Sequence, residues 1–184
     1  IVTNGIASAV PGFETRAEGL RRRALAAGLS ARLFARALTV ESGHDFLVGL
    51  MHDIGELVLL QRAAEQGILP AGIFEDPKAG PVVLAAIEAD HPRVGAALCR
   101  AWGLPPSVSE AAEQHHDRRA KRLPAQLAAA SDVVAAHVTG AAGGDPASEA
   151  IFAAMGIGPA TVSRILAEVT AALPPLVAGG SARR

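Results

Sequence analysis

The chain has 184 residues, half of them apolar and 40 of them alanine, a length and composition that suit one domain of closely packed helices better than a sheet. A formal charge of −1 and a pI near 6.7 give no electrostatic reason to expect nucleic acid or a membrane surface as partner. A single cysteine, Cys99, excludes an internal disulfide framework and fits a reducing cytoplasm, and no apolar run reaches the roughly eighteen residues that span a bilayer.

The first residues, "IVTNGIASAV", have no starting Met and no basic stretch, so residues 1–17 are expected to be a remnant of a longer chain rather than a signal peptide. Residues 18–140 are expected to form a helical core. In it, "EGLRRRALAAGLSARLFARAL" places Leu25, Leu29, Leu33 (or Phe34) and Ala37 at helical spacing with arginines on the other face, which predicts an amphipathic helix over 18–38. "TVESGHD" breaks it and offers Ser42 or Asp45 as the next cap. Residues 45 to about 62 are apolar nearly all round and predict one central helix. A Gly- and Pro-punctuated connector follows, then a helix over about 82–89.

Pro92 suits the first turn of the next helix and disfavours helical backbone at His91, which is therefore expected at or just before that helix's start. The helix is predicted to run to Trp102. Ser107 and Glu110 have the spacing of a capping box and predict a helix ending near "QHH", and "RLPAQLAAASDVVAAHVTG" predicts another past Asp132 and His137. Residues 141–149 read as a linker. Residues 150–184 read as a last helix, over about 160–173, with a frayed tail. With no repeat and no strand pattern, the fold class is all-α, a multi-helix bundle.

Imidazole and carboxylate groups are costly to bury unless something satisfies them. His52 and Asp53 lie at the centre of the apolar run "LVGLMHDIGELVLL", and His91, His115, His116 and Asp132 punctuate later helices near their predicted ends. Adjacent helical residues are about 100° apart, so a His-Asp pair can present nitrogen and oxygen to one ion or one water. That donor set suits Zn, Mn, Fe or Ni rather than Ca. The same residues also suit a purely structural network of imidazoles bonded to carbonyls and carboxylates. Arg118 and Arg119, in "DRRAKR" beside the double His, are candidate phosphate or nucleotide ligands, or simply a solvated helix end.

The blocks "FLVGLMHDIGELVLL" and "EADHPRVGAALCRAWGLPPSVSEAAEQHH", followed by "SD" in the next helix, resemble the HD superfamily of metal-dependent phosphohydrolases, and most closely its HDOD branch, the HD-related output domain of bacterial signalling proteins. The resemblance covers about 19–137 and implies a compact helical bundle of the HD type. It would make His52 and Asp53 the core metal ligands, with Asp132 as the late aspartate. His91, His115 and His116 would be the extra histidines of two-metal relatives.

Three departures weigh against hydrolysis. Arg23 stands where catalytic relatives supply a first histidine, and guanidinium has no lone pair to give a metal. Glu56 stands where the HD-GYP branch has lysine, and no Gly-Tyr-Pro follows the double His. The resemblance then implies a non-catalytic signalling module acting on a protein partner or fused signalling domain, with a nucleotide as the ligand of its cleft. The competing reading is a phosphohydrolase for a nucleotide or cyclic dinucleotide. No cofactor is expected of the module beyond a retained divalent ion. Arg23 is expected to stand in for a metal charge by pairing with Asp53 or Asp132, or else to lie solvated in "RRR". HDOD chains usually carry a further helical segment ahead of this region, so the apolar face it would cover is expected to be exposed or self-associating.

Overall fold

The computed structural model describes residues 12–117, 119–141 and 150–181, with side chains through residue 173. All its regular elements are helical: α1 Glu14–Ala37, α2 Asp45–Met51, α3 Ile54–Glu65, a 3-10 turn Ile73–Glu75, α4 Ala79–Ala101, α5 Pro106–Gln114, α6 Leu123–Val138, α7 Ala150–Ala154 and α8 Pro159–Ser181. Among the described residues there is no strand, and no helix is long and apolar enough to cross a membrane.

Helix α1 is the spine, packed against α2, α6 and α8. Its fully buried stripe is not the leucine row of the sequence pattern but Ala26, Ala27, Ala31, Phe34 and Ala35. Leu25, Leu29 and Leu33 are only partly buried beside it. Small side chains let neighbouring backbones approach closely, which is how an alanine-rich chain still gains dispersion contacts. Where α2 crosses α1, a Cβ on Gly49 would fall 2.2 Å from the Ala27 carbonyl oxygen. Helix α8 lays Val162, Ile165, Val169 and Leu173 on the core at helical spacing, all essentially inaccessible.

Four local expectations are corrected. The predicted single helix over residues 45 to 62 is two, because Asp53 leaves helical geometry at φ −102°, ψ 12° and becomes the residue that opens α3. A carboxylate at such a position commonly caps the free N–H groups of the first turn. Asp53 makes no side-chain cap bond, since its oxygens face histidines instead. The predicted break at His91-Pro92 does not occur, and α4 runs through Pro92 with His91 buried in its interior. Packing against α3 overrides the local preference of a pre-proline residue there. The Ser107–Glu110 capping box does not form. Pro105 precedes α5, no side chain caps it, and Glu110 pairs with Arg122 instead. Finally, α8 continues through Pro174 and Pro175 to Ser181, past the predicted end of the last helix.

The turn before α2 follows expectation more closely. Ser42 donates from both N–H and Oγ to the Asp45 carboxylate at 2.8 Å, fixing the entry of α2. Cys99 is buried in α4, and burial pushes its thiol up to about 11, so it is an unreactive core residue.

Candidate metal centre

Four helices and the break between α2 and α3 deliver the site. His52 ends α2, Asp53 opens α3, His91 comes from mid-α4, His115 and His116 from the end of α5, Asp132 from α6 and Arg23 from α1. All seven side chains converge. Close approach of α3 to α4 makes this possible: a Cβ on Gly55 would lie 2.0 Å from the His91 carbonyl oxygen and 2.7 Å from Gly95 N. The glycine after "HDI" thus sets the distance at which Asp53 meets His91.

Two donor groups share Asp53. One comprises Asp53, His91, His115 and His116, and the other His52, Asp53 and Asp132, with the candidate ligand atoms of each group within 4.8 Å of one another. In the first, Asp53 Oδ1 lies 3.0 Å from His115 Nε2 and 3.3 Å from His91 Nε2. His91 Nε2 in turn lies 3.2 Å from His115 Nε2 and 3.1 Å from His116 Nε2. In the second, His52 Nε2 lies 3.1 Å from Asp53 Oδ2 and 3.3 Å from Asp132 Oδ1.

The opposite ring nitrogens are committed to backbone. Nδ1 of His52 donates to the Gly49 carbonyl at 2.7 Å, that of His91 to Ile87 at 3.2 Å and that of His115 to Ala112 at 3.0 Å. Such bonds fix the ring orientation and leave Nε2 as the atom facing the site. The three acceptor carbonyls lie three or four residues back in the same helices, so helical backbone itself aims these rings.

Arg23 occupies the second group. Its Nε donates to Asp132 Oδ1 at 2.8 Å and Nη2 lies 2.6 Å from the same oxygen, while Nε lies 3.7 Å from Asp53 Oδ2. Burial works against the guanidinium charge, but Asp132 and Asp53 outweigh it and raise its pKa. For His52, too, burial opposes the charge, yet Asp53 and Asp132 push its pKa up to about 10. Burial alone would raise the two carboxyls. The His52 charge and bonds from His115, His52 and His91 hold Asp53 well below the usual range, and bonding and charge from His52, with help from Arg23, lower Asp132. His91 is raised against burial, mainly by its bond to Asp53, whereas burial and the His115 charge lower His116.

These directions fix a pH prediction for the ion-free chain. The raised His52 contributes stability fully present below about pH 6.5, its unfolded value, and lost as pH rises toward about 10. The lowered Asp53 and Asp132 contribute stability present above about pH 4 and lost as pH falls through their depressed folded values. Melting temperature measured in chelator should therefore be highest between about pH 4 and 6.5 and decline on the alkaline side. A His52→Gln variant should lose the larger part of that alkaline decline and keep the share that belongs to the raised His91.

Two contributors were not evident in the sequence. Glu88, three residues before His91 on α4, places Oε1 3.4 Å from His116 Nε2 and Oε2 3.9 Å from His91 Nδ1. The spacing of three, which puts both on one helix face, was the available signal. Arg16 pairs with the buried Glu56 and stacks over Phe74 at 4.6 Å, a contact no local pattern announces. Of the candidate phosphate ligands, Arg119 is exposed and does not line the site, and Arg118 lies outside the described residues. A cavity of about 310 Å³ opens beside His115, His116 and Asp132, walled on its other sides by Ala129, Val133 and Ile151.

An all-α bundle that gathers a His-Asp pair at a helix break, a helical His, a double His and a late Asp is a domain of the HD type. The model of the HDOD domain matches residues 1–118, and the chain belongs to that family. The match takes in Arg23 and the five ligand candidates through His116, while Asp132 lies beyond it. Over 94 residues the chain is 33% identical to an uncharacterized protein of Treponema pallidum (strain Nichols), a stretch that covers 50% of this chain and 18% of that protein. The chain thus spans a small part of the relative's length. No solved structure matches it.

Proposed function

We propose that this chain is a non-catalytic HDOD-type output module, which transmits a signal through contacts with a protein partner or a fused signalling domain. The observation that supports this most is Arg23. In the HD resemblance a histidine at that position supplies a metal ligand; here a guanidinium bonded to Asp132 and facing Asp53 supplies a positive charge instead. An anionic centre balanced by its own arginine needs no second ion for its charge, and a guanidinium, with no lone pair or open coordination position, cannot hold and activate a water as a metal ion would. The match to only part of a longer relative is consistent with a module that works inside a larger protein.

A second reading, a metal-dependent phosphohydrolase, draws support from the shared Asp53 and the cavity beside His116. Purified protein incubated with Mn or Fe and a cyclic dinucleotide, or with bis-p-nitrophenyl phosphate, separates the two. The expected result is no hydrolysis above that of the His52→Ala, Asp53→Ala double variant. Turnover that disappears in that variant would establish the phosphohydrolase reading instead.

A further inference from the structure

We propose that the centre holds one divalent transition-metal ion and not two, bound by Nε2 of His91, His115 and His116 and by Oδ1 of Asp53, with Arg23 filling the place of a second. The step is independent of turnover, because a single ion is compatible with a module that does not hydrolyse.

Spacing comes first. Around a tetrahedral ion with bonds of about 2.0–2.1 Å, neighbouring donor atoms lie roughly 3.3–3.4 Å apart. Four of the six separations in this group, 3.0 and 3.3 Å to Asp53 and 3.2 and 3.1 Å between nitrogens, lie at or just under that value, and all six lie within 4.8 Å. Imidazoles packed for hydrophobic contact alone have no reason to turn three Nε2 atoms toward one another.

Next is hydrogen bonding. With the Nδ1 atoms of His91 and His115 donating to carbonyls, each neutral ring presents a bare lone pair at Nε2. A proton can bridge one pair of nitrogens. It does not satisfy three at once, whereas adding a proton to every ring stacks like charges with centroids 4.1–5.3 Å apart. A cation at the common focus takes the lone pairs of His91 and His115, that of His116 in its Nδ1-protonated form, and the Asp53 oxygen together.

The second donor group has comparable spacing but a different neighbour. Asp132 Oδ1 already accepts a hydrogen bond from Arg23 Nε at 2.8 Å and lies 2.6 Å from Nη2 of the same guanidinium. An ion there would have to displace a bonded cation or sit beside it. Glu88, whose carboxylate reaches His116 from the solvent side, belongs to the first group's surroundings and adds negative charge where the ion is proposed.

The test is a Co²⁺ titration of the whole chain after chelator treatment, read by d–d absorption and by element analysis after gel filtration. One ion per chain is expected. His116→Ala, at a partly exposed position where refolding is not at stake, should weaken binding at least about tenfold. Asp132→Asn should keep one ion, and Arg23→His, which removes the guanidinium and adds a donor, should bind two. No ion, or two, in the unaltered chain would overturn the proposal. So would an ion lost in Asp132→Asn but kept in His116→Ala, or a stoichiometry of one in a folded Arg23→His. Hydrolysis by a chain that binds one ion would defeat the non-catalytic reading and leave this one intact.

Discussion

Gly55→Ala is expected to destabilise the protein by about 2 kcal/mol or more and to loosen the His-Asp cluster of the candidate metal centre with it. Two effects oppose each other. Alanine in place of a helical glycine gains up to about 1 kcal/mol of helix propensity. Against this, its Cβ would lie 2.0 Å from the His91 carbonyl oxygen and 2.7 Å from the Gly95 nitrogen, both backbone atoms that cannot rotate away. Forcing a methyl into a packed interior costs about 1–3 kcal/mol, and more when backbone must shift. The clash wins, and relief requires α3 to move off α4. That movement separates Asp53 from His91, so metal affinity should fall along with stability. Gly19→Ala is the control, since Gly19 is an exposed position in α1 with nothing within 4 Å of the added Cβ. It should leave stability unchanged or raise it by up to about 1 kcal/mol. Urea unfolding of the two variants checks both signs, and equal stabilities would mean that the helices do not meet at Gly55 as described.

Arg23→Ala is expected to lower stability by about 2–3 kcal/mol in chelator, less than the ~3–5 kcal/mol of a fully buried pair because the arginine side chain keeps 28% of its exposure. The loss comes from leaving the Asp132 and Asp53 carboxylates to the neighbouring imidazoles, His52 foremost, without the guanidinium. Two further measurements separate this electrostatic cause from lost packing. Arg23→Met keeps much of the side chain's volume and should lose nearly as much. Arg23→Ala combined with Asp132→Asn should be less destabilised than the sum of the single variants, because each removes the other's reason to be charged. Divalent metal should also restore more stability to Arg23→Ala than to the unaltered chain. Unchanged stability in Arg23→Ala would show a solvated arginine that balances nothing.

Much of the fold class was legible from residues alone. Alanine abundance, helical spacing and the lack of alternating patterns point to helices, and the order of His and Asp in apolar helices points to the HD type. Where local reading failed, tertiary contacts had overridden a local preference. His91 stays helical before Pro92 because α4 is packed along α3. The leucines of α1 lost the deepest positions to alanines, since α2 crosses too closely for anything larger. Ser107 and Glu110 have cap spacing, but Glu110 meets Arg122 instead.

The sequence by itself determined which groups could act: six donors of the right chemistry, in order, and an arginine without a lone pair where a first histidine would stand. Only the tertiary structure decided which of them meet. Residues as far apart as Arg23 and Asp132 come within a hydrogen bond, and Asp53 is divided between two clusters. Helical spacing fixes a side chain's direction about its own axis. The distance between helices is set by what lies at their crossings, and here that is Gly49 against Ala27 and Gly55 against His91.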